Sequence, residues 1–435
     1  MIIEPRSVAI IGASNDRDSV GYALVKNTMS ARCDVFLVNP NHEEIEGKKC
    51  YPSVKDIPYE VEAAIIAVPA KVVPDVLKEC GEKKVKYVYI ISAGFAEAGN
   101  VDLQDKLVSI ANRYGVKIVG PNCLGLMRPG YVNATFAPYE PKSGGIGFIS
   151  QSGALVDAMV DMAKESYGFS AIVSVGNSAM LDITDFIEVL DQDEKTKVIA
   201  IYMESIKDGR EFINVVKKAK KPVVVLKSGK SERGAKTALT HTGKLATDYS
   251  VYRGAFRQAG AIEVNTFTEL FSVSVLMELV GEVDDMVVVT NAGGGAVLAS
   301  DYAEKYGVDL VDLRKETIRR LDKVLPEHYS RQNPLDIIGD ATSERYWKAL
   351  DILMKEKYVK SAFVIVTPQL MTDVDNIAMV VAKIKQKYKK PIVCSFIGGS
   401  RVKNAIHYLR EHGIPNFREI EDAMFAISKT KKKGE

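Results

Sequence analysis

The sequence predicts an α/β protein made of three consecutive parallel-sheet domains. Three observations carry that expectation. Short apolar runs rich in Val and Ile alternate with longer amphipathic stretches along the whole chain, the pattern of parallel strands buried on both faces. A Pro/Gly-rich stretch interrupts the pattern, after which it begins again. The 435 residues also exceed what one hydrophobic core sustains.

The first set of strands is expected at 7–11, 34–38, 63–68, 86–91 and 117–119, with helical patterns such as 72–83 and 103–114 between them. The stretch from Arg128-Pro129-Gly130 to Pro141-Lys142-Ser143-Gly144-Gly145 reads as a connection between domains. The second set is expected at 146–149, 171–175, 198–203, 222–226 and 261–264. The third is expected at 286–290, 308–311, 362–366, 391–396 and 414–417. These sets place the domains at 1–127, 128–280 and 281–435.

Hydrophobic residues make up 46% and charged residues 26%, which excludes a disordered or collagenous chain. Lys plus Arg number 58 against 56 Asp plus Glu, a formal charge of +2, so there is no broad field to attract nucleic acid or an anionic membrane. Any anion must be held locally. The five cysteines are odd in number and scattered, fitting neither a disulfide framework nor a Cys-x-x-Cys metal site, and a reducing cytoplasm suits them. The amino terminus has the pattern of a strand rather than of a signal peptide, and no apolar run reaches the roughly 18 residues of a membrane span.

In open parallel sheets, ligands bind beyond the carboxyl ends of the strands. The unusual residues of this chain cluster there. Gly12-Ala13-Ser14-Asn15 follows the first strand, with Ser19 and Gly21 opening a helix; Asn39-Pro40 follows the second, Val68-Pro69 the third, Ser92-Ala93-Gly94 the fourth and Gly120-Pro121-Asn122-Cys123 the fifth. Small residues let backbone N–H groups approach a phosphate, which the following helix dipole also favours, so a nucleotide-like ligand is expected. The turn lacks Gly-x-Gly-x-x-Gly, and Asn39 stands where an NAD site places an acid, which disfavours NAD.

The second set repeats the device at Ser150-Gln151-Ser152-Gly153, and its next strand ends in Gly176-Asn177. Its third strand ends in Glu204, which reads either as a helix cap or surface charge, or as a carboxylate able to orient an imidazole. Gly229-Lys230-Ser231 is not a P-loop, because Val224 occupies the place of the required first glycine. His241 lies between threonines in a long polar loop, Thr240-His241-Thr242-Gly243, and reads equally as a functional or a surface histidine. Thr290-Asn291-Ala292-Gly293-Gly294-Gly295 is a further strand-to-helix turn that could take an anion or a neighbouring loop, while Asn333-Pro334-Leu335-Asp336 reads as a turn and helix cap.

Together, the crevice, Ser150-Gln151-Ser152-Gly153, Glu204, Thr240-His241-Thr242-Gly243 and Tyr252-Arg253-Gly254-Ala255-Phe256-Arg257-Gln258-Ala259-Gly260 resemble the alpha subunits of NDP-forming acyl-CoA synthetases, the superfamily of succinyl-CoA synthetase, and most nearly the ADP-forming acetate–CoA ligases. The resemblance covers essentially the whole chain. It implies a Rossmann-like CoA-binding domain followed by two flavodoxin-like ligase domains. It also implies CoA in the first crevice and phosphate on Ser150, Gln151, Ser152 and Gly153, with the acyl group near Gly176 and Asn177. His241 would be the phosphohistidine, its ring held by Glu204. ADP and Mg²⁺ would bind a separate ATP-grasp beta subunit. One departure is Asn41, where many relatives carry a lysine suited to a CoA phosphate. Two rival readings are a CoA-sensing module without chemistry and an NAD(P)-binding oxidoreductase.

Overall fold

The computed structural model describes residues 2–164, 167–234 and 248–430. The chain separates into two compact units, Met1–Thr266 and Phe267–Glu435.

The first unit contains two sheets. The first is built from β1 (Ser7–Ile11), β2 (Asp34–Val38), β3 (Glu44–Ile45), β4 (Lys48–Tyr51), β5 (Ala63–Ile66), β6 (Tyr87–Ile90) and β7 (Lys117–Val119), in the order β3-β4-β2-β1-β5-β6-β7. Its pairs are parallel except β3–β4. Every residue of β1 and β5 is buried, which explains their unbroken apolar runs. β3 and β4 were not expected. They form a hairpin over Glu46 and Gly47, both at positive φ, in a charged edge segment whose few apolar residues give no strand signal.

The second sheet holds β8 (Gly125–Arg128), β9 (Val132–Thr135), β10 (Ser143–Ser150), β11 (Phe169–Ser174), β12 (Val198–Met203), β13 (Val223–Lys227) and β14 (Ile262–Val264), in the order β14-β13-β12-β10-β11-β8-β9. Here Pro129 and Gly130, read from sequence as part of a linker, turn the β8–β9 hairpin, which joins β11 antiparallel. The hairpin also holds on to the first sheet. Asn27, on helix Val20–Thr28, donates to Thr135 O (2.8 Å) and Ala137 O (2.9 Å), and the Tyr131 hydroxyl donates to Pro5 O (2.9 Å). One continuous apolar core includes Ile10 and Tyr89 of the first sheet with Leu126, Ile149 and Phe186 of the second part.

Beneath the hairpin lies a buried ion pair. Arg128 donates from Nη1 to Asp193 Oδ2 (2.9 Å) and from Nη2 to Asp193 Oδ1 (2.7 Å), with Nη1 also reaching Ser170 O (2.8 Å). Asp193 further accepts from Thr196 N (3.1 Å) and Thr196 Oγ1 (2.7 Å). Burial raises the Asp193 carboxyl, but the Arg128 and Thr196 contacts outweigh it and hold the group below its ordinary range.

The second unit has a parallel sheet of β15 (Met286–Thr290), β16 (Leu335–Asp336), β17 (Ser361–Val366) and β18 (Ile392–Phe396), ordered β16-β15-β17-β18. The expected strands at 308–311 and 414–417 are single bridges, Met286 to Leu310 and Cys394 to Asn416. At the first, the Asn333 amide stands in for a longer ladder, donating to Met286 O and Val311 O (both 2.9 Å) while accepting from Val288 N (2.8 Å). At the second, Pro415 has no N–H to extend pairing. Asn333 to Asp336 is thus a side-chain brace leading into β16 rather than a turn and helix cap. Helix Phe267–Leu279 packs on helix Ile420–Ser428, so the compact division falls after Thr266, ahead of the sequence boundary at 280.

Candidate functional site

The strand order places the ends of β2, β1, β5, β6 and β7 side by side, which brings the candidate residues of the first crevice to one edge. Its central turn is very tight. Gly12 has φ +92°, and a Cβ there would overlap the Ala67 carbonyl, while a Cβ on Gly21 would overlap the carbonyl of Gly12 itself. Both glycines are therefore needed to seat the helix on the turn. Ser19 caps that helix by accepting from Tyr22 N (3.1 Å), and Ser14 Oγ accepts from Asp16 N (3.0 Å).

Several expected donors are already engaged. Gly12 N donates to Val38 O (3.0 Å), and Gly94 N donates to Glu97 Oε1 (2.5 Å). The Asn39 amide ties the first two strand ends together, donating to Ala13 O (2.7 Å). Asn15 Nδ2 reaches Glu44 O (3.4 Å), and Ser92 Oγ donates to Val68 O (2.5 Å). The Cys123 thiol is buried, donates to Ile90 O (3.3 Å) and is pushed up by burial to about 12, so it is a packing group rather than a ligand. Pro40 and Ala93 lie exposed on the rim. A cavity of about 680 Å³ opens between Pro69 and Gly94, and of its lining residues Lys71 carries the positive charge.

At the edge of the second sheet, Ser150 ends β10 and its hydroxyl donates to Ser152 O (2.7 Å) while accepting from Ser152 N (3.1 Å). Ser152 caps helix Gly153–Ala163, accepting from Leu155 N (3.4 Å). Gln151 Oε1 accepts from Glu204 N (2.6 Å) and Ser205 N (3.0 Å), which fixes the end of β12 against the Ser150 to Gly153 turn. Across from Ser150 in the ladder, the buried hydroxyl of Ser174 has no hydrogen-bond partner among the described residues. A helix amino terminus with a cluster of hydroxyls is suited to an anion. His241 lies outside the described residues.

Gly176 and Asn177 sit at the junction of the two sheets. A Cβ on Gly176, at φ +49°, would overlap the carbonyls of Asn122 and Pro121, and Asn177 N donates to Pro121 O (2.9 Å). The Asn177 amide is held by Glu97, by Gln104 Oε1 (3.0 Å) and by Asn122 Nδ2 (3.4 Å).

Sequence reading missed two charged residues. Glu97, after β6, could have been marked as an acid in a Gly-rich strand-end turn. Lys227 is the last residue of β13, paired with Met203 in register and so beside the strand tip that bears Glu204. Its signal is a cation closing an otherwise apolar strand, as Glu204 closes β12. Lys227 is buried, donates to Ser228 O and lies 4.5 Å from the Tyr252 ring centroid. Burial pushes its ammonium from 10.5 down to about 8, against the pull of Glu204 and with the push of Lys230.

Between about 8 and 10.5 the unfolded chain therefore holds a proton on this lysine that the folded chain has lost, so its contribution to stability rises with pH across that window. Lys227→Met should melt above wild type near neutral pH, with the gain fading toward pH 10.5. Thermal melts across that range check it; a gain independent of pH would refute it.

Comparison with known proteins agrees with this geometry. Residues 6–129 match the CoA binding domain, 143–277 the succinyl-CoA ligase like flavodoxin domain, and 286–433 the ligase-CoA domain. An acetate–CoA ligase (ADP-forming) I of Archaeoglobus fulgidus is 45% identical over 98% of this chain, which spans 62% of that relative's length. The alpha subunit of acetate–CoA ligase (ADP-forming) II of Pyrococcus furiosus is 41% identical, with 97% of this chain and 95% of the relative covered. The dinucleotide-forming acetyl-coenzyme A synthetase 1 of Ca. Korarchaeum cryptofilum, solved with phosphate and ADP, superposes with a TM-score of 0.94 at 34% identity over 98% of this chain and 95% of the solved one. With its edge of strand-end turns, its hydroxyl-rich helix start and near-complete alignment to an alpha subunit, the chain belongs to the family of ADP-forming acetate–CoA ligases.

Proposed function

We propose that this chain is the CoA-binding, phosphohistidine-carrying part of an NDP-forming acyl-CoA synthetase, interconverting acyl-CoA, ADP and phosphate with acid, CoA and ATP. The observation that carries the reading is the Gln151 brace, which sets the strand tip of Glu204 against the Ser150 to Gly153 helix start. A carboxylate-bearing residue beside the helix start that would hold phosphate is the pair that phosphorylating a histidine calls for.

CoA would lie along the edge of the first sheet, with Gly12 to Asn15, Ser19, Gly21, Val68 and the Ser92 to Gly94 turn beneath it. Lys71 would supply the cation that Asn41 does not. Phosphate held by Ser150, Gln151, Ser152 and Gly153 would attack the thioester carbonyl, expelling CoA as the thiolate. The acyl phosphate would then pass its phosphoryl group to the neutral ring nitrogen of His241, releasing the acid, while Glu204 steadies the imidazole as it gains charge. The residues 1–127, 128–280 and 281–435 would serve as the CoA-binding, phosphohistidine and second flavodoxin-like parts.

The final transfer to ADP, with its Mg²⁺, is assigned to an ATP-grasp beta subunit, in line with the alpha-subunit name of the P. furiosus relative. Among the described residues there is no cluster of three or more His, Cys, Asp or Glu side chains arranged to hold a metal ion, and no helix is long and apolar enough to cross a membrane. All five cysteines are free, which suits the reducing cytoplasm.

The test is incubation with acetyl-CoA and labelled phosphate, with and without the second subunit. The chain alone should acquire acid-labile label, and ATP should appear only when both subunits and ADP are present. Full-rate ATP formation by this chain alone would overturn the division of labour.

A further inference from the structure

The junction between the two sheets of the first unit is closely packed. Ala179 N donates to Gly120 O (2.8 Å), the Gly176 turn lies against Asn122, and a Cβ on Gly153 would stand 3.5 Å from Leu124 Cβ. The turns after β7 and β11 and the start of helix Gly153–Ala163 thus share one seam. Glu97 reaches this seam from the turn after β6. Its Oε1 accepts from Gly94 N (2.5 Å) and Phe95 N (3.1 Å), and its Oε2 accepts from the Asn177 amide.

All of these partners are neutral, and among the described residues Glu97 has no ion-pair partner; it is nonetheless held below its ordinary range, since the hydrogen bonds from Asn177, Gly94 and Phe95 outweigh the cost of burial. Lys207, which reaches the chain just past Asn177, is spent on the carbonyls of Ala179 and Met180 (both 2.9 Å), so the Glu97 carboxylate carries a negative charge that no ion pair neutralises among the described residues. With CoA along the first sheet, phosphate at Ser150 to Gly153 and the acyl group at Gly176 and Asn177, the thioester end would cross this seam and the acyl group would lie beside Glu97, the partner of the Asn177 amide.

Resting on the functional reading above, we propose that Glu97 is a specificity-determining residue that excludes acyl groups bearing a second carboxylate, and so selects acids with an otherwise uncharged acyl chain. Two like charges about 6 Å apart in a partly screened site disfavour each other on the order of 100-fold. Acetyl and other uncharged acyl groups escape that repulsion.

The test compares kcat/KM for acetyl-CoA and succinyl-CoA, using this chain assembled with its second subunit. Glu97→Gln removes the charge but keeps a side-chain oxygen for the Gly94 and Phe95 N–H groups. It should shift the ratio toward succinyl-CoA on the order of 10- to 100-fold. The double variant Glu97→Gln/Asn177→Asp returns one carboxylate to the seam with donor and acceptor exchanged, and should restore rejection of succinyl-CoA. An unchanged ratio in Glu97→Gln, or an equal fall with both substrates, overturns the proposal while leaving the functional reading intact. A wild-type assembly that turns over no acyl-CoA overturns both.

Discussion

His241→Ala is expected to lose all acid-labile phosphate and to reduce turnover of the assembled enzyme on the order of 10⁴-fold or more. The reason is chemical rather than steric. If acyl transfer and nucleotide phosphorylation occur at separated sites, a covalent carrier is the only link between them, and alanine has no lone pair to accept the phosphoryl group. Glu204→Gln should retain the link but weaken it about 10- to 100-fold, the size of effect seen when a partner that orients an imidazole is removed. Mapping the label from phosphate of known specific activity checks both variants at once. The proposed mechanism fails if His241→Ala keeps wild-type turnover, or if label persists elsewhere on the chain at the same rate.

Arg128→Met should destabilise the first unit by about 3 kcal/mol, because it leaves the Asp193 carboxylate buried with only the weaker pull of Lys221 as counter-charge. Both side chains are almost wholly excluded from solvent, Arg128 at 2% and Asp193 at 5% exposure, so neither can recover hydration. Replacing both partners with apolar residues of similar volume should cost far less. The pair also imprints a pH dependence. With its folded value depressed below the ordinary 3.8, Asp193 contributes stability that is complete above that pH and is lost as pH falls through the folded value. Denaturant midpoints of Arg128→Met and of Asp193→Asn across acid pH are the measurement. A wild-type midpoint in Arg128→Met would show that the pair contributes nothing net.

Fold and site differ in how far they can be read from the residues. β1, β12 and β15 were placed to the residue because strands buried on both faces are nearly apolar throughout and bounded by turn-forming residues, and β2 and β7 because their apolar runs, each opened by one exposed charged residue, end at such turns. The edge hairpin β3–β4 escaped because solvent permits charged residues on it. The β8–β9 hairpin escaped for the opposite reason: Pro129 and Gly130 signal a turn, but nothing local says that the flanking runs pair with each other rather than part. What holds the pair in place is remote: β8 docks antiparallel on β11, and the Arg128 side chain is held by Asp193, 65 residues away.

The same distinction governs the site. Strand-end glycines and serines were legible, since tight turns and helix starts demand small or hydroxyl-bearing residues nearby. Their partners were not. Which N–H groups are already spent depends on partners that spacing does not name: at Gly12 it is the carbonyl of Val38 on the neighbouring strand, and at Gly94 the carboxylate of Glu97 folding back three residues. Glu97 and Lys227 gain meaning only once strand order sets them beside Asn177 and Glu204.

The β8–β9 hairpin bears on how such proteins can be taken apart. It is a strand pair of one sheet that buries itself against a helix of the other, so a gene cut near residue 128 would tear a β-ladder rather than sever a tether. The two sheets of the first unit are in this sense one piece of architecture: a cut there exposes ladder edges and apolar surface on both sides.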